Sequence, residues 1–319
     1  MAPEHDIATT LDMSPWQGRT DPEPDSERWH QCIRPLSAEA APGTVLVGFA
    51  SDAGVARNQG RPGAAAGPSA IRRALAPLAW HRRGPAYDAG DVACDGDALE
   101  AAQDTLADRL APLLHAGHLP IVLGGGHEVA YASWSGLARH LESREDAPRI
   151  GIVNFDAHFD LRDPAQVRSS GTPFAQIAEG CRTRGWPFRY ACLGVSRAAN
   201  TRALFQRAEA LAVLVREDRD FTPQAFDALR RDLERFVTDC DHLYLTIDLD
   251  VLPAAEAPGV SAPAPRGVSL AMLEPLIEVI RDSGKLRLAD LAELNPAYDV
   301  DSRTAKAAAR LVHLLTLNG

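Results

Sequence analysis

Three short apolar runs in this chain each end in a group of histidine and aspartate residues, and this feature constrains the fold more than any other. The runs and the motifs that follow them are 119–123 before Gly-Gly-Gly-His-Glu at 124–128, 149–155 before Asp-Ala-His-Phe-Asp at 156–160, and 242–247 before Asp-Leu-Asp at 248–250. Runs of this length, rich in β-branched residues, are typical of buried strands. Since parallel strands end at one edge of a sheet, where ligands bind, we expect the three motifs to lie together there.

The rest of the chain alternates between apolar runs and helical patterns. Further strands are predicted at 44–50, 189–195, 211–215 and 286–291, with a weaker one at 86–92. Helices are predicted at 68–79, 98–115, 128–143, 222–238, 269–282 and 301–315. This alternation indicates an α/β fold with a parallel, roughly eight-stranded sheet and helices on both faces.

The first 42 residues differ from the rest in composition. They are rich in proline, acidic residues and tryptophan, without clear periodicity, so residues 1–42 are interpreted as an arm that wraps the domain or is partly mobile. No linker and no repeat of 20–50 residues interrupts the remainder. We therefore expect residues 43–319 to form a single catalytic domain.

Composition excludes several classes of protein. With 43 acidic and 33 basic residues the net charge is −10, and no Lys/Arg block occurs, which argues against nucleic-acid binding. No run approaches 18 apolar residues, and the first residues lack a secretory signal, so neither membrane insertion nor export is expected. The five cysteines are odd in number and never in CxxC spacing, which fits a reducing, cytoplasmic location without disulfides or a thiolate zinc site.

The spacing within each motif allows the polar side chains to converge. Successive residues of a strand point to opposite faces, so residues two apart share a face. If the strand persists that far, Asp156 and His158 point together, and Asp160 continues the same parity. Asp248 and Asp250 pair in the same way.

Four converging carboxylates need a counter-charge, because without one they repel each other and raise each other's pKa. A pair of divalent cations with neutral imidazole ligands would balance the four negative charges. Carboxylate and imidazole ligands without a thiolate favour Mn²⁺ over Zn²⁺ or Ca²⁺. Two such ions about 3.5–4 Å apart can share a hydroxide nucleophile. The residues therefore predict a binuclear manganese site.

The glycines at 124–126 have two interpretations. A phosphate-binding loop is disfavoured, because neither GxxxxGK[ST] nor GxGxxG occurs here. We interpret them instead as small residues that let the backbone turn sharply and bring His127 to the metal. The missing phosphate loop also argues against a binuclear phosphoesterase.

Together with Glu293-Leu294-Asn295-Pro296, the three motifs resemble the ureohydrolase family, which includes arginase, agmatinase and formimidoylglutamase. The resemblance spans roughly residues 43–317. It implies a three-layer α/β/α fold and two Mn²⁺ ions per subunit, bridged by Asp156 and Asp248. The implied ligands are His127, Asp156, Asp160 and Asp248 for one ion, and Asp156, His158, Asp248 and Asp250 for the other.

Within that family the chain most resembles the formimidoylglutamase branch, judged from the strings at 154–162, 169–174, 194–202, 250–253 and 257–261. Arginases and agmatinases carry a histidine where this chain has Ser170, and a third aspartate where it has Pro253. The branch implies manganese-dependent hydrolysis of N-formimidoyl-L-glutamate to L-glutamate and formamide, a step of histidine degradation.

The resemblance also implies roles around the metals. Asp160 would carry a proton to the departing amine, and Glu293 would pair with the cationic amidinium. The substrate carries two carboxylates, which planar guanidinium groups hold well. The candidates for binding it are Arg162 first, then Arg57, Arg61 and Arg197, with Ser170 and Thr172 as hydrogen-bond donors.

Other functions remain open at this point. The substrate could be another guanidino or amidino acid, such as guanidinobutyrate, agmatine or arginine. The chain could also be a pseudoenzyme that binds metal without turnover, although all six ligands and Glu293 are present. Since the family often forms trimers or hexamers, we expect a homo-oligomer.

Overall fold

A computed structural model describes residues 11–317. The strands in this range are β1 (Arg34–Pro35), β2 (Thr44–Ala50), β3 (Ala86–Ala93), β4 (Leu119–Leu123), β5 (Ile150–Phe155), β6 (Arg189–Val195), β7 (Leu214–Glu217), β8 (His242–Asp248) and β9 (Leu286–Ala292). The helices are α1 (Trp29–Cys32), α2 (Ala53–Arg57), α3 (Gly67–Leu75), α4 (Leu99–His115), α5 (Val129–Glu142), α6 (Pro173–Arg184), α7 (Arg202–Ala210), α8 (Phe226–Thr238), α9 (Leu270–Asp282) and α10 (Arg303–Thr316).

All nine of these strands form one parallel sheet in the order β1-β3-β2-β4-β9-β8-β5-β6-β7. The three strands that precede the polar motifs, β4, β8 and β5, lie in the centre of the sheet with β9 between β4 and β8. The parallel sheet predicted from the sequence is therefore confirmed. Its central strands bring the motifs to one edge together with Glu293, which follows β9.

The sheet is buried on both faces, and alternate residues of a strand enter different cores. Leu46 of β2 packs in the core beneath α3, α8, α9 and α10, whereas Val45 and Val47 pack in the core beneath α4, α5 and α6. Such period-two alternation is what a strand covered on both sides requires. The architecture is the expected three-layer α/β/α arrangement.

Some elements differ from those predicted. The strand predicted at 211–215 begins three residues later, because Ala212 adopts a positive φ of 53° in the turn after α7. Helix α6 was not predicted, since Gly180 weakens its pattern; a Cβ there would lie 2.7 Å from the Trp134 ring. Helix α7 was also missed, because its apolar face is short: Ala208 is buried, and Leu204 and Phe205 pack against the core half-buried.

The described part of the arm, residues 11–42, packs against the domain. Trp29 is fully buried and meets the Trp80 ring edge-on at 5.0 Å. The Trp16 indole N–H donates to a carboxylate oxygen of buried Asp88 at 2.7 Å. Strand β1 also extends the sheet by pairing with β3. The boundary at residue 42 stays a prediction, and residues 1–10 lie outside the described range.

No helix between residues 11 and 317 combines the length and the apolar character needed to cross a membrane.

Candidate metal centre

The glycines between β4 and His127 are required by close packing. A Cβ at Gly124 would lie 2.6 Å from the Leu291 carbonyl oxygen, and one at Gly125 would lie 1.8 Å from the Ser51 carbonyl oxygen. At Gly126 it would lie 2.1 Å from a carboxylate oxygen of Glu128. None of the three has a positive φ, so here glycine provides space and not an unusual backbone conformation. The tight path brings His127 into the sheet edge.

The first group of candidate ligands surrounds the imidazole of His127. Its Nδ1 lies 3.1 Å from an oxygen of Asp156, 2.9 Å from one of Asp160 and 3.2 Å from one of Asp248. The four ligand atoms lie within 4.8 Å of one another. This is the set that the resemblance implied for one manganese ion.

The nitrogens of His127 show that this cluster fits a cation. Nε2 lies 3.0 Å from the hydroxyl of Thr246, which orients the ring. Nδ1 is buried and, despite the nearby carboxylates, makes no well-directed hydrogen bond within the described structure. A metal-bound histidine commonly uses its second nitrogen for such an outer contact. The donor set therefore suits a divalent cation at Nδ1.

The second group consists of Asp156, His158 and Asp250. Nδ1 of His158 lies 3.0 Å from an oxygen of Asp250 and 3.6 Å from one of Asp156. Asp156 thus belongs to both groups, and its bridging role stays a prediction. Asp248 belongs to the first group alone, so its bridging role stays a prediction.

Tight turns bring the ligands together. The prediction that strand alternation aligns them is wrong. Strand β5 ends at Phe155, before Asp156, and Asp250 lies in a 3₁₀ turn after β8. The main-chain N–H of His158 donates to the Asp156 carboxylate at 2.6 Å, and that of Asp250 donates to Asp248 at 2.8 Å. Each aspartate therefore folds the residue two positions later back towards itself.

Two predicted catalytic residues have strained backbones. Asp160 has a φ of 47° and Glu293 a φ of 70°, in the left-handed region that side chains with a Cβ rarely adopt. Such conformations persist only where the surrounding structure enforces them, and they concentrate at functional sites. The strain is consistent with a functional requirement at both positions.

The carboxylates compete for ionisation. Burial followed by the charge of Asp156 raises the pKa of Asp160 to about 6. Burial and the charge of Asp250 raise the pKa of Asp248 well above its usual range. Burial opposes ionisation of Asp156 as well, but the imidazoles of His127 and His158 hold its pKa below the ordinary value. Divalent cations would remove this competition by supplying positive charge.

Glu293 connects the metal centre to a cavity. It accepts a hydrogen bond from the main-chain N–H of His127 at 2.9 Å. Burial, then the charge of Glu128, raises the pKa of Glu293 to about 8. A cationic ligand beside this carboxyl would favour its ionised form.

A cavity of about 310 Å³ opens above the cluster. The predicted site residues that line it are His158, Asp160, Arg162, Ser170, Asp248, Asp250, Glu293 and Arg61. The metal-ligand candidates thus form one side of a space that a small molecule can enter.

The two arginines of the cavity differ in their contacts. Within the described structure, the guanidinium of Arg162 has no hydrogen bond or ion pair, and the main-chain N–H of this residue donates to the carbonyl of Gly171 at 2.9 Å. The guanidinium of Arg61 donates to the carbonyls of Ser261 and Val260 and lies 4.0 Å from the centre of the Tyr298 ring. Arg162 is therefore better suited to hold a ligand carboxylate.

Three predicted substrate-binding residues do not line the cavity. Arg57 is held by Asp97 and Glu100. Arg197 pairs with Glu217 at the surface. The hydroxyl of Thr172 is occupied by Ser169 and Gln176. In each case neighbouring groups already satisfy the side chain that was expected to contact substrate.

Sequence reasoning missed several lining residues, namely Asn58, Gln59, Asn200 and Ser261. Asn58 and Gln59 lie in the loop that was considered for its arginines, and Gln59 has a φ of 62°. The buried Asn200 accepts from the main-chain N–H of Phe159 at 3.1 Å and donates to the carbonyl of Ala157 at 2.8 Å. It supports the turn that carries Asp156 and Asp160, and no local pattern signals this role.

Comparisons with known proteins identify the family of this chain. Residues 42–317 match the model of the arginase family. A formimidoylglutamase of Aeromonas hydrophila is 61% identical over 96% of this chain and 98% of its own length. One of Ralstonia nicotianae is 56% identical over 95% of each chain.

Solved structures show the same fold. Formimidoylglutamase from Bacillus subtilis superposes with a TM-score of 0.81 at 21% identity, over 94% of each chain. Formiminoglutamase from Trypanosoma cruzi with Mn²⁺ superposes with a TM-score of 0.79 at 25% identity, over 92% of this chain and 98% of its own.

Proposed function

This chain belongs to the arginase family, and we propose that it hydrolyses N-formimidoyl-L-glutamate to L-glutamate and formamide with two Mn²⁺ ions. One observation carries the proposal. Two groups of candidate ligands share Asp156 beside a cavity that also contains Glu293 and an unpaired Arg162. The same space thus offers a metal centre, a carboxylate to pair with the amidinium, and a guanidinium to pair with a substrate carboxylate.

The metals would be held by His127, Asp156, Asp160 and Asp248 in the first group and by Asp156, His158 and Asp250 in the second, with Asp248 a further candidate. When bound, a pair of divalent cations at such ligands lowers the pKa of water enough to supply hydroxide near neutral pH. The Mn²⁺ in the related T. cruzi structure supports the choice of ion.

The reacting amidinium is oriented by Glu293. Its carboxylate is anchored by the His127 main-chain N–H, which leaves the second oxygen able to accept from the cationic group. Such a charge-assisted hydrogen bond is stronger than a neutral one. Because Glu293 is buried, pairing with a cation also offsets the cost of its own charge.

Proton transfer is assigned to Asp160. It lies beside His127 at one end of the cluster and also lines the cavity. Its carboxylate can accept a proton from the attacking water and deliver it to the amine of glutamate as the C–N bond breaks.

The tail of the substrate carries two carboxylates, and Arg162 is the proposed partner for one of them. Its guanidinium is unpaired and can bind a carboxylate in two parallel hydrogen bonds. The Ser170 hydroxyl lies in the same wall. Agmatine has no carboxylate for this arginine to bind, so the pattern favours an amidino acid.

We further propose a role in histidine degradation, a cytoplasmic location and a homo-oligomeric state. The first follows from the substrate. The second is supported by cysteines that form no disulfide, three of them buried. The proposal of a homo-oligomer is based on the trimers and hexamers that members of the family often form.

A substrate panel tests the function. Purified protein loaded with Mn²⁺ is expected to release formamide and glutamate from N-formimidoyl-L-glutamate in preference to arginine, agmatine and guanidinobutyrate. Hydrolysis of one of those in its place would move the chain to another branch of the family. Stoichiometric metal with no turnover of any of them would identify a pseudoenzyme.

A further inference from the structure

Glu128 follows the metal-ligand candidate His127 and is buried, with 1% of its surface exposed. One carboxylate oxygen, Oε1, accepts from the hydroxyl of Ser51 at 3.0 Å and from the main-chain N–H of Gly54 at 2.9 Å. The other, Oε2, is buried without a hydrogen-bond partner in the described structure. Burial of a carboxyl costs free energy, so the contacts of Glu128 must offset that cost.

Two glycines make room for this carboxyl group. A Cβ on Gly54 would lie 2.5 Å from the Glu128 carboxyl carbon, and a Cβ on Gly126 would lie 2.1 Å from Oε2. The Glu128 side chain is therefore enclosed between the start of α2 and the turn that carries His127. It joins two segments that are far apart in the sequence.

The peptide groups of Gly54 extend this connection to the cavity. The carbonyl of Gly54 accepts from the main-chain N–H of Asn58 at 2.9 Å and from that of Ser170 at 3.1 Å. Asn58 and Ser170 both line the cavity. The chain of contacts thus runs from Glu128 through Gly54 to two residues that face the ligand.

Arg162 belongs to the same surface. A Cβ on Gly171 would lie 3.0 Å from both the Asn58 side-chain oxygen and the Cδ of Arg162. The side chains of Asn58 and Arg162 therefore flank one glycine. We call the surface formed by Asn58, Ser170 and Arg162 the tail wall.

We propose that Glu128 is a positioning residue that fixes the tail wall relative to the metal centre and so sets the affinity for the substrate carboxylates. This inference rests on the proposed function. Glu128 is absent from the cavity lining, and it acts through Gly54. Its effect is therefore expected in KM, with the chemical step and the metal content retained.

The test compares Glu128→Ala with the conservative Glu128→Gln in Mn²⁺-loaded protein. Alanine leaves the Ser51 hydroxyl and the Gly54 N–H without their acceptor, whereas glutamine keeps an oxygen at that position. For Glu128→Ala we expect KM and the inhibition constant of L-glutamate to rise about tenfold, the change that one lost buried hydrogen bond produces. We expect kcat to change by less than about threefold, with wild-type manganese content and a KM within about twofold of wild type for Glu128→Gln.

An unchanged KM in Glu128→Ala would overturn the inference, as would a loss of manganese that accounts for the whole defect. Equal defects in both variants would also overturn the inference, because glutamine keeps the accepted hydrogen bonds and only the charge would then explain the loss. If Glu128→Ala does not fold, Glu128→Asp, whose shorter side chain withdraws the acceptor, carries the same comparison. Wild-type protein that releases no formamide would instead contradict the proposed function.

Discussion

The carboxylate of Glu293 accepts a hydrogen bond from the main-chain N–H of His127 at 2.9 Å, and its own N–H donates to the carbonyl of Gly125 at 2.7 Å. These two bonds join the ends of the neighbouring strands β4 and β9. They fix the carboxylate of Glu293, the proposed partner of the amidinium, relative to His127, a proposed metal ligand. Such a fixed arrangement favours a reaction in which Glu293 and the metal centre must act on the same amidinium carbon.

Replacing Glu293 with glutamine is expected to separate substrate orientation from metal binding. The amide oxygen can still accept from His127, but the negative charge that pairs with the amidinium is lost. We expect kcat/KM to fall about 10- to 100-fold, as for a lost hydrogen bond to a charged group. Formamide release and metal analysis measure the two effects, and loss of manganese in this variant would contradict the assignment.

The ligand groups make different predictions for two aspartates. Asp156 belongs to both groups, so Asp156→Ala is expected to abolish binding of both Mn²⁺ ions. Asp248→Ala is expected to do the same if Asp248 bridges, and to spare the second ion if it does not. Metal content per chain decides between these outcomes. Asp163→Ala, an exposed carboxylate close to Asp160, is the control and should keep both ions.

Arg162 and Arg197 provide a matched pair of variants. The guanidinium of Arg162 faces the cavity unpaired, while that of Arg197 is held by Glu217 outside it. Arg162→Ala is expected to raise KM for N-formimidoyl-L-glutamate about 10- to 100-fold, the value of a charged hydrogen bond. Manganese content should stay constant. Arg197→Ala is expected to leave KM unchanged, and equal KM values in the two variants would contradict the role of Arg162.

The sequence was most informative where strands meet the site. Apolar runs located the central strands, and the residues after them supplied the ligand set that surrounds His127 Nδ1. This worked because the ends of parallel strands share one edge, whatever the loops do. The convergence of Asp248 and Asp250 had the wrong explanation, since a local Asx turn, not strand parity, aligns them.

The arginines show what the sequence alone could not decide. Arg57 and Arg197 were reasonable candidates by type and position. Each is nevertheless paired with acids 20 or more residues away, Asp97 and Glu217 among them. Whether an arginine side chain stays unpaired depends on which acidic residues the fold places beside it. The same holds for Glu128 and Ser170, which lie far apart in the sequence and both hydrogen-bond to the peptide groups of Gly54.

Removal of the metal is expected to destabilise the protein. The carboxylates of the cluster repel each other, and the buried Nδ1 of His127 lacks a directed hydrogen bond. Each site filled at a hundred times its Kd should add about 2.7 kcal/mol to the free energy of unfolding. Thermal unfolding with and without a chelator measures this difference. In Asp156→Ala the melting temperature should no longer depend on Mn²⁺, and persistence of that dependence would place the ion elsewhere.

The contact between the arm and the domain is tested by Trp16→Phe. This change keeps most of the apolar packing and removes the N–H that donates to the carboxylate of Asp88, which has no exposed surface. A lost hydrogen bond to a buried charge should lower the free energy of unfolding by about 1.5–3 kcal/mol. Trp186→Phe is the control, because the indole of Trp186 donates to a neutral main-chain carbonyl, that of Asp146, and its loss should cost about 0.5–1.5 kcal/mol. Urea unfolding of both variants measures the difference. Equal stabilities of Trp16→Phe and wild type would show that the arm contributes no free energy through this contact.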